Sequence, residues 1–306
     1  ASALFGRDKR TVSFVTGTDT RQAAIDVLEP LRDDIAGAIG DPQVVLKVNA
    51  GVGYPEAINC STDVEHIRGI LDVLADIYGR GVIIAEGIAS PAHSVKVSYE
   101  NYDYLPLERE YDVRLIDLND QPAAPQYIVS DNLHPRPINI ITMLTDPAYY
   151  VISATRFKSH NAVIATLSLK NIVMGSPLCH YRDKSMKRPN EKFMMHGGPN
   201  QVLGRELSHN LFRIALAGAT PDLAVLDGVN GIEGNGPWGG TTIQQGVMLA
   251  STDFLAADRV GVELMGVDYN EMKYLQWCGM AGLGTDNLDD IRVTDSSWRD
   301  HIVKYK

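Results

Sequence analysis

The sequence predicts an α/β protein with a mixed, mostly parallel sheet flanked by helices. Short apolar runs bounded by turn residues alternate with longer segments of helical periodicity, which is the order expected of βαβ units. Several runs end in a polar residue close to a glycine, as strands do at the sheet edge where ligands bind. The sequence has no internal repeat and no Ser/Gly linker, which favours one compact unit.

The first part of the chain alternates strand and helix. Strands are predicted at 11–16, 44–48 and 82–85, with helical patterns at 20–39 and 63–78 between them, so we expect a parallel sheet here. Lys47 is unusual on its apolar strand: it lies either in a site or on an edge strand, pointing to water. Glu86, after the third strand, is either a site acid or a solvated loop residue.

The stretch that follows is irregular, because repeated prolines interrupt it. Strand-like runs occur at 113–118, 127–129 and 138–143. If the unit divides into two lobes, the sequence places the boundary near 95–150.

A cationic turn is predicted next. A strand at 150–154 runs into a loop with Arg156, Lys158 and His160, and then into a helix at 162–174 that carries Lys170 and Asn171. A helix amino terminus presents free N–H groups and the positive end of the helix dipole, so this turn suits a phosphate or carboxylate. The alternative is that the cations are solvated and that His160 merely caps the helix.

The last part of the chain contributes acids. Residues 176–198 are predicted to be a basic lid loop that brings His196 over the site, before a helix at 200–216. A strand at 223–226 delivers Asp227 and Glu233 into a glycine-rich loop, where we expect them to act as acid/base or metal-binding carboxylates. Asp253, after a strand at 246–251, is first a helix cap and second a metal ligand.

Composition excludes several classes of protein. The 306 residues carry a formal net charge of −10, which argues against nucleic-acid binding. No apolar run approaches the ~18 residues that a membrane helix needs. Three separated cysteines without a CxxC cannot form an iron–sulfur or zinc site by themselves. The chain starts at Ala1 in a small-residue stretch, as after removal of a leader, so export to the periplasm is one alternative.

The chain resembles the domain of unknown function 362 family. The resemblance rests on the strand with Lys47 and Asn49, on SATRFKSHNAVIATLSLKNIVMG at 153–175, on His196-Gly197, on DLAVLDGVNGIEGNGPWGG at 222–240, and on LASTDFLAADRV and GLGTDNLDDIRV. It implies a shared fold and site but no established reaction. Members are sometimes joined to iron–sulfur modules, whose cysteine clusters this chain lacks.

These observations favour an enzyme over two alternatives. A basic set holds a small anionic ligand, and an acidic set transfers protons or binds Mg²⁺, Mn²⁺ or Ca²⁺. The basic set with its amides is Lys47, Asn49, Lys158, His160, Lys170, Asn171 and His196; the acidic set is Asp227, Glu233 and Asp253. The alternatives are an exported binding protein and a redox protein that depends on a partner's cofactor, since no GxGxxG follows the first strand. Assembly into a homo-oligomer is a further alternative.

Overall fold

A mixed sheet carries the fold. The computed structural model describes residues 9–89, 93–179, 190–197, 204–236 and 239–306. The strands are β1 (Arg10–Thr16), β2 (Gln43–Lys47), β3 (Val82–Glu86), β4 (Val113–Asp117), β5 (Ala123–Val129), β6 (Pro135–Ile141), β7 (Tyr149–His160), β8 (Ile164–Thr166), β9 (Leu223–Glu233), β10 (Thr241–Ile243), β11 (Val247–Ser251) and β12 (Ile291–Val293). The helices are α1 (Thr20–Leu28), α2 (Arg32–Ile39), α3 (Val64–Ile77), α4 (Val95–Asn101), α5 (Leu107–Glu110), α6 (Ser168–Gly175), α7 (Glu191–Met194), α8 (Arg205–Leu216), α9 (Phe254–Leu264) and α10 (Lys273–Met280).

The sheet has the order β12-β1-β11-β9-β7-β2-β3-β4, with β10 on β9 and β8 on β7. Strands β9, β7, β2, β3 and β4 pair in parallel, and β12 pairs in parallel with β1. Only the pairings of β11, β8 and β10 are antiparallel in this sheet as described. The predicted mixed, mostly parallel sheet is therefore confirmed.

The first strand departs from the predicted order. Strand β1 does not neighbour β2; it pairs with β11 and β12, and β11, β9 and β7 stand between it and β2. A βαβ pattern along the chain specifies alternation of elements, whereas the neighbours of a strand depend on pairings with segments far away in sequence.

Alternate residues of the central strands pack on the two faces of the sheet. Val44 and Leu46 pack with the residues of α1, α2 and α3 on one face. Val45, between them, belongs to the core formed with α6, α8 and α9 on the other. Strands covered on both faces read as continuous apolar runs, which is why the sequence revealed them.

Several predicted boundaries shift. The helical pattern at 20–39 is interrupted by a turn of 3-10 helix with Pro30 near its start, because proline has no N–H to donate within a helix. The predicted loop after residue 154 is instead the second half of β7, where Lys158 pairs with Thr166 on one side and Ile232 on the other. Helix α6 accordingly begins at Ser168, six residues later than predicted.

The proline-rich stretch forms a separate two-stranded sheet, β5 with β6. Asn210 on α8 joins it to the main sheet: its amide donates to the Val129 carbonyl and accepts from the Val129 N–H.

The division of the chain into two lobes stays a prediction. Most of the predicted lid, at 180–189, and residue 198 lie outside the described residues. In the part that is described, no helix is long and apolar enough to cross a membrane.

Candidate functional site

Strands β2 and β3 bring a buried ion pair to their carboxyl ends. The side chain of Lys47 is 1% exposed, and its Nζ lies 3.0 Å from Glu86 Oε1. Glu86 is fixed in turn by the N–H groups of Ala50 and Gly87. Because β2 is a central strand, the edge-strand alternative for Lys47 is wrong, and so is the solvated alternative for Glu86.

Two amides connect this pair to a second lysine. Asn171 Oδ1 accepts from Lys47 Nζ at 3.0 Å and from Asn49 Nδ2 at 3.1 Å. Asn49 Oδ1 accepts from Lys158 Nζ at 2.5 Å, and Lys158 also donates to the Cys60 carbonyl. The structure therefore joins residues from β2, β7 and α6 in one polar network.

Lys170 has far fewer partners. It is 7% exposed, and its Nζ lies 3.3 Å from Thr166 Oγ1, the one hydrogen bond that it makes with the described residues. Burial first, and then the charge of Lys158, lower the pKa of Lys170 to about 7. Burial likewise lowers the pKa of Lys158 to about 8. Burial removes the water that would solvate an ammonium, so both lysines release protons near neutral pH.

Two histidines lie within reach of this charge. His160 Nδ1 accepts from the Ala162 N–H at 3.0 Å, so the neutral ring carries its proton on Nε2. Burial, followed by the charge of Lys170, lowers the pKa of both His160 and His196. Both imidazoles are therefore neutral at physiological pH.

The β7–β8 hairpin that carries His160 is strained. Ile164 has φ 69°, and a β-branched residue there costs roughly 1–3 kcal/mol. Such conformations persist where the surrounding structure holds them, and they cluster at functional sites.

A sixth basic residue was not singled out from the sequence. Lys192 on α7 is buried, and its Nζ donates to the Gly87 carbonyl at 2.6 Å. Burial lowers the pKa of Lys192 to about 8. In the sequence Lys192 is one of several basic residues of the predicted lid, and no local sequence pattern distinguishes it from the others. We call these six residues the basic cluster: Lys47, Lys158, His160, Lys170, Lys192 and His196.

The predicted acids have protein partners of their own. Asp227 is fully buried and pairs with Arg156 across the β7–β9 register, 3.2 Å from Nε, while its other oxygen accepts from the Val229 N–H. Arg156 also binds Asp63. Glu233, half-buried at the end of β9, accepts from the backbone N–H of Lys306.

Asp253 is at the other end of the sheet. It follows Ser251, which pairs with Ala224 near the start of β9. Its carboxylate caps α9 by accepting from Leu255 and Ala256. The three predicted metal ligands are thus not brought together, and the described residues contain no group of three or more His, Cys, Asp or Glu that could hold a metal.

A model of the family named domain of unknown function 362 matches residues 44–263. The chain belongs to this family. A thylakoid-associated protein of Synechocystis is similar to it, with 26% identity over 250 residues that cover 79% of this chain and 68% of the relative. The matched region of this DUF362 chain contains every residue of the basic cluster.

The amino terminus of α6 is not open to a ligand in this DUF362 protein. Asp258 of α9 accepts from the N–H groups of Ser168 and Leu169 and from the Ser168 hydroxyl. The prediction that this terminus contributes free N–H groups to an anion site is therefore wrong. Asp258 instead fixes the start of the helix that carries Lys170 and Asn171.

Replacing Asp258 with alanine is expected to lower the free energy of unfolding by about 2 kcal/mol, because buried N–H groups lose their acceptor. It should also weaken anion binding, since Lys170 lies on the first turn of α6. Chemical denaturation and calorimetric titration with phosphate measure the two effects. Asp253→Ala removes a comparable cap from α9 and should reduce stability alone; equal losses of anion affinity in both variants would contradict the positioning role.

Proposed function

We propose that this DUF362 protein is an enzyme that binds a small carboxylate or phosphate compound at the basic cluster and transfers protons with its lysines and imidazoles. The observation that carries the proposal is the imbalance of charge. The cluster contains four buried lysines, and the one ion pair that they make with described carboxylates is Lys47 with Glu86. A buried cation without a counter-ion is costly unless a ligand supplies the opposite charge.

The position of the basic cluster supports the same proposal. Lys47, Glu86 and Lys158 lie at or beyond the carboxyl ends of parallel neighbouring strands, the edge where open α/β sheets bind ligands. Groups with pKa values near neutrality are efficient proton carriers, and Lys158, Lys170 and Lys192 fall between about 7 and about 8. One set of residues would thus both bind the substrate's negative charge and transfer protons.

A divalent cation at the predicted acids has less support. Both Asp227 oxygens are engaged by protein donors, Glu233 is bound to Lys306, and Asp253 lies at the opposite end of the sheet. These three residues do not fit a shared site. Metal analysis of the native protein tests the predicted cation independently of this geometry.

The affinity for anions should decrease as pH rises. A bound anion favours the ammonium forms, so affinity for inorganic phosphate or lactate is expected to be highest below pH 7. It should fall between pH 7 and 9 as Lys170 and Lys158 lose their protons, by up to about tenfold per pH unit for each proton taken up on binding.

Isothermal titration at constant ionic strength measures this effect. Lys96→Met, which removes an exposed lysine on α4, is the matched control and should retain the wild-type profile. Binding that is equally tight at pH 6 and pH 9, or no binding of either anion, would count against the proposal.

A further inference from the structure

Hydrogen bonding separates Lys170 from the other lysines of the basic cluster. Lys47 Nζ has three acceptors: Glu86, Asn171 and the Val48 carbonyl. Those acceptors match the three protons of an ammonium group. Lys170 Nζ has the Thr166 hydroxyl at 3.3 Å, and a hydroxyl can donate as readily as accept. The described surroundings of Lys170 therefore accommodate a neutral amine with an available lone pair.

The neighbours of Lys170 favour that neutral form. Lys158 places a second positive charge near it, and burial removes the water that would solvate an ammonium. A lysine that is desolvated and next to another cation is an activated nucleophile. The charge of Lys170 acts on His160 and His196, so both imidazoles are neighbours of the amine, and His160 keeps its own proton on Nε2.

Lys158 is suited to hold a substrate carboxylate. Among the described residues, Asn49 Oδ1 and the Cys60 carbonyl accept from two of its three N–H groups, and the third is left for a ligand. The charge of Lys158 acts on Lys170, so the two amines are neighbours. A carboxylate bound by Lys158 would bring a carbonyl group bonded directly to it towards the amine of Lys170.

We propose that Lys170 forms an imine with the carbonyl carbon of a 2-oxo acid whose carboxylate is bound by Lys158. This inference rests on the proposed anion-binding function and adds a substrate class and a nucleophile to it. The amine lone pair attacks the carbonyl carbon, the π electrons of the C=O bond move to the oxygen, and one of the two amine protons passes to that oxygen to give a carbinolamine. The nitrogen then loses its proton and the carbon its hydroxyl group, which leaves as water; no electron is gained or lost.

Reductive trapping tests the proposal. Wild-type protein is incubated at pH 7 with pyruvate and cyanoborohydride, and the intact mass and the peptide map are measured. We expect one reduced adduct, located on Lys170, and its formation should be slowed by lactate, which has the carboxylate but no carbonyl group. Peptide mapping of the wild-type adduct does not depend on how any variant folds. An adduct spread over surface lysines, or located on another lysine of the basic cluster, would overturn the assignment.

Two further measurements separate the imine from anion binding itself. Lys170→Arg keeps the positive charge but cannot form the imine, so trapping should fall at least tenfold while lactate still binds. Lys96→Arg, the exposed control, should trap pyruvate like the wild type. If lactate and phosphate bind to the wild type but pyruvate gives no adduct, the imine is refuted and the anion function stands. If no anion binds, both proposals fail.

Discussion

Replacing Lys170 with methionine is expected to raise the Tm of the ligand-free protein at pH 6 and to weaken phosphate binding by about 10²-fold. Methionine fills similar space without a charge. In the native state the Lys170 ammonium is buried and makes one weak hydrogen bond with the part of the chain that the structure describes, so the charged form is poorly accommodated. A charge-assisted hydrogen bond to a ligand contributes roughly 1.5–3 kcal/mol, which corresponds to the expected loss of affinity.

The stabilisation by Lys170→Met should decrease as pH rises. The pKa of Lys170 falls from 10.5 in the unfolded chain to about 7 in the folded one. Between these values the unfolded chain binds more protons, so the stability of the wild type rises with pH across that window. Below pH 7 the cost of the buried charge is fully present, at roughly 3–5 kcal/mol for a shift of this size. The advantage of Lys170→Met should therefore be largest at pH 6 and decline towards pH 10.

Thermal melts of the two proteins at pH 6, 8 and 10, with and without phosphate, measure the effect. Added phosphate should stabilise the wild type and leave Lys170→Met unchanged. Lys96→Met, at an exposed position, should behave as the wild type throughout. A lower Tm for Lys170→Met together with undiminished phosphate binding would show that Lys170 supports the fold and not a ligand.

Replacing Asp227 with asparagine is expected to lower the free energy of unfolding by about 3–5 kcal/mol, because it removes one partner of a buried ion pair. Arg156, which is 4% exposed, keeps Asp63 and the Asn59 carbonyl, so the loss should lie towards the lower end of that range. We expect phosphate affinity to change by less than about threefold, because Asp227 makes no contact with the basic cluster among the hydrogen bonds described.

A double-mutant cycle measures the coupling energy between Arg156 and Asp227. Arg156→Met, Asp227→Asn and their combination are compared by chemical denaturation, and the coupling energy should be well above that of an exposed pair. Glu233→Gln, at a half-buried carboxylate, is the control and should cost less than about 1 kcal/mol. If Asp227→Asn is as stable as the wild type but loses turnover or a bound metal, Asp227 is a site acid and the structural assignment is wrong.

Much of the basic cluster could be found from the sequence because its residues disturb a pattern. Lys47 interrupts an apolar strand, and Lys158 and His160 follow another. Charges at such positions are expensive to bury, so they indicate either exposure or a site, and β2 being central excludes exposure for Lys47. Lys192 could not be found this way, because it lies in a polar segment where a lysine is ordinary.

For the acids, the local sequence pattern did not indicate the partners that the structure shows. Asp227 ends an apolar run and Glu233 lies between glycines, and both features are typical of ligand-binding loops. The structure nevertheless gives each carboxylate a protein partner, Arg156 and the Lys306 N–H. No local signal specifies those partners, since 71 and 73 residues separate the members of these two pairs.

The sequence by itself determined the class of fold and where charge meets the carboxyl ends of buried strands, because hydrophobic periodicity is a local property that burial imposes on each element. Only the tertiary structure decided which charges neutralise each other. Asp258 of α9 accepts from the amino terminus of α6, Glu86 pairs with Lys47, and the one described hydrogen-bond partner of the Lys170 amine is a hydroxyl group. Those outcomes depend on which distant strands and helices pack together, and the free energy of a buried charge depends on its neighbours in space.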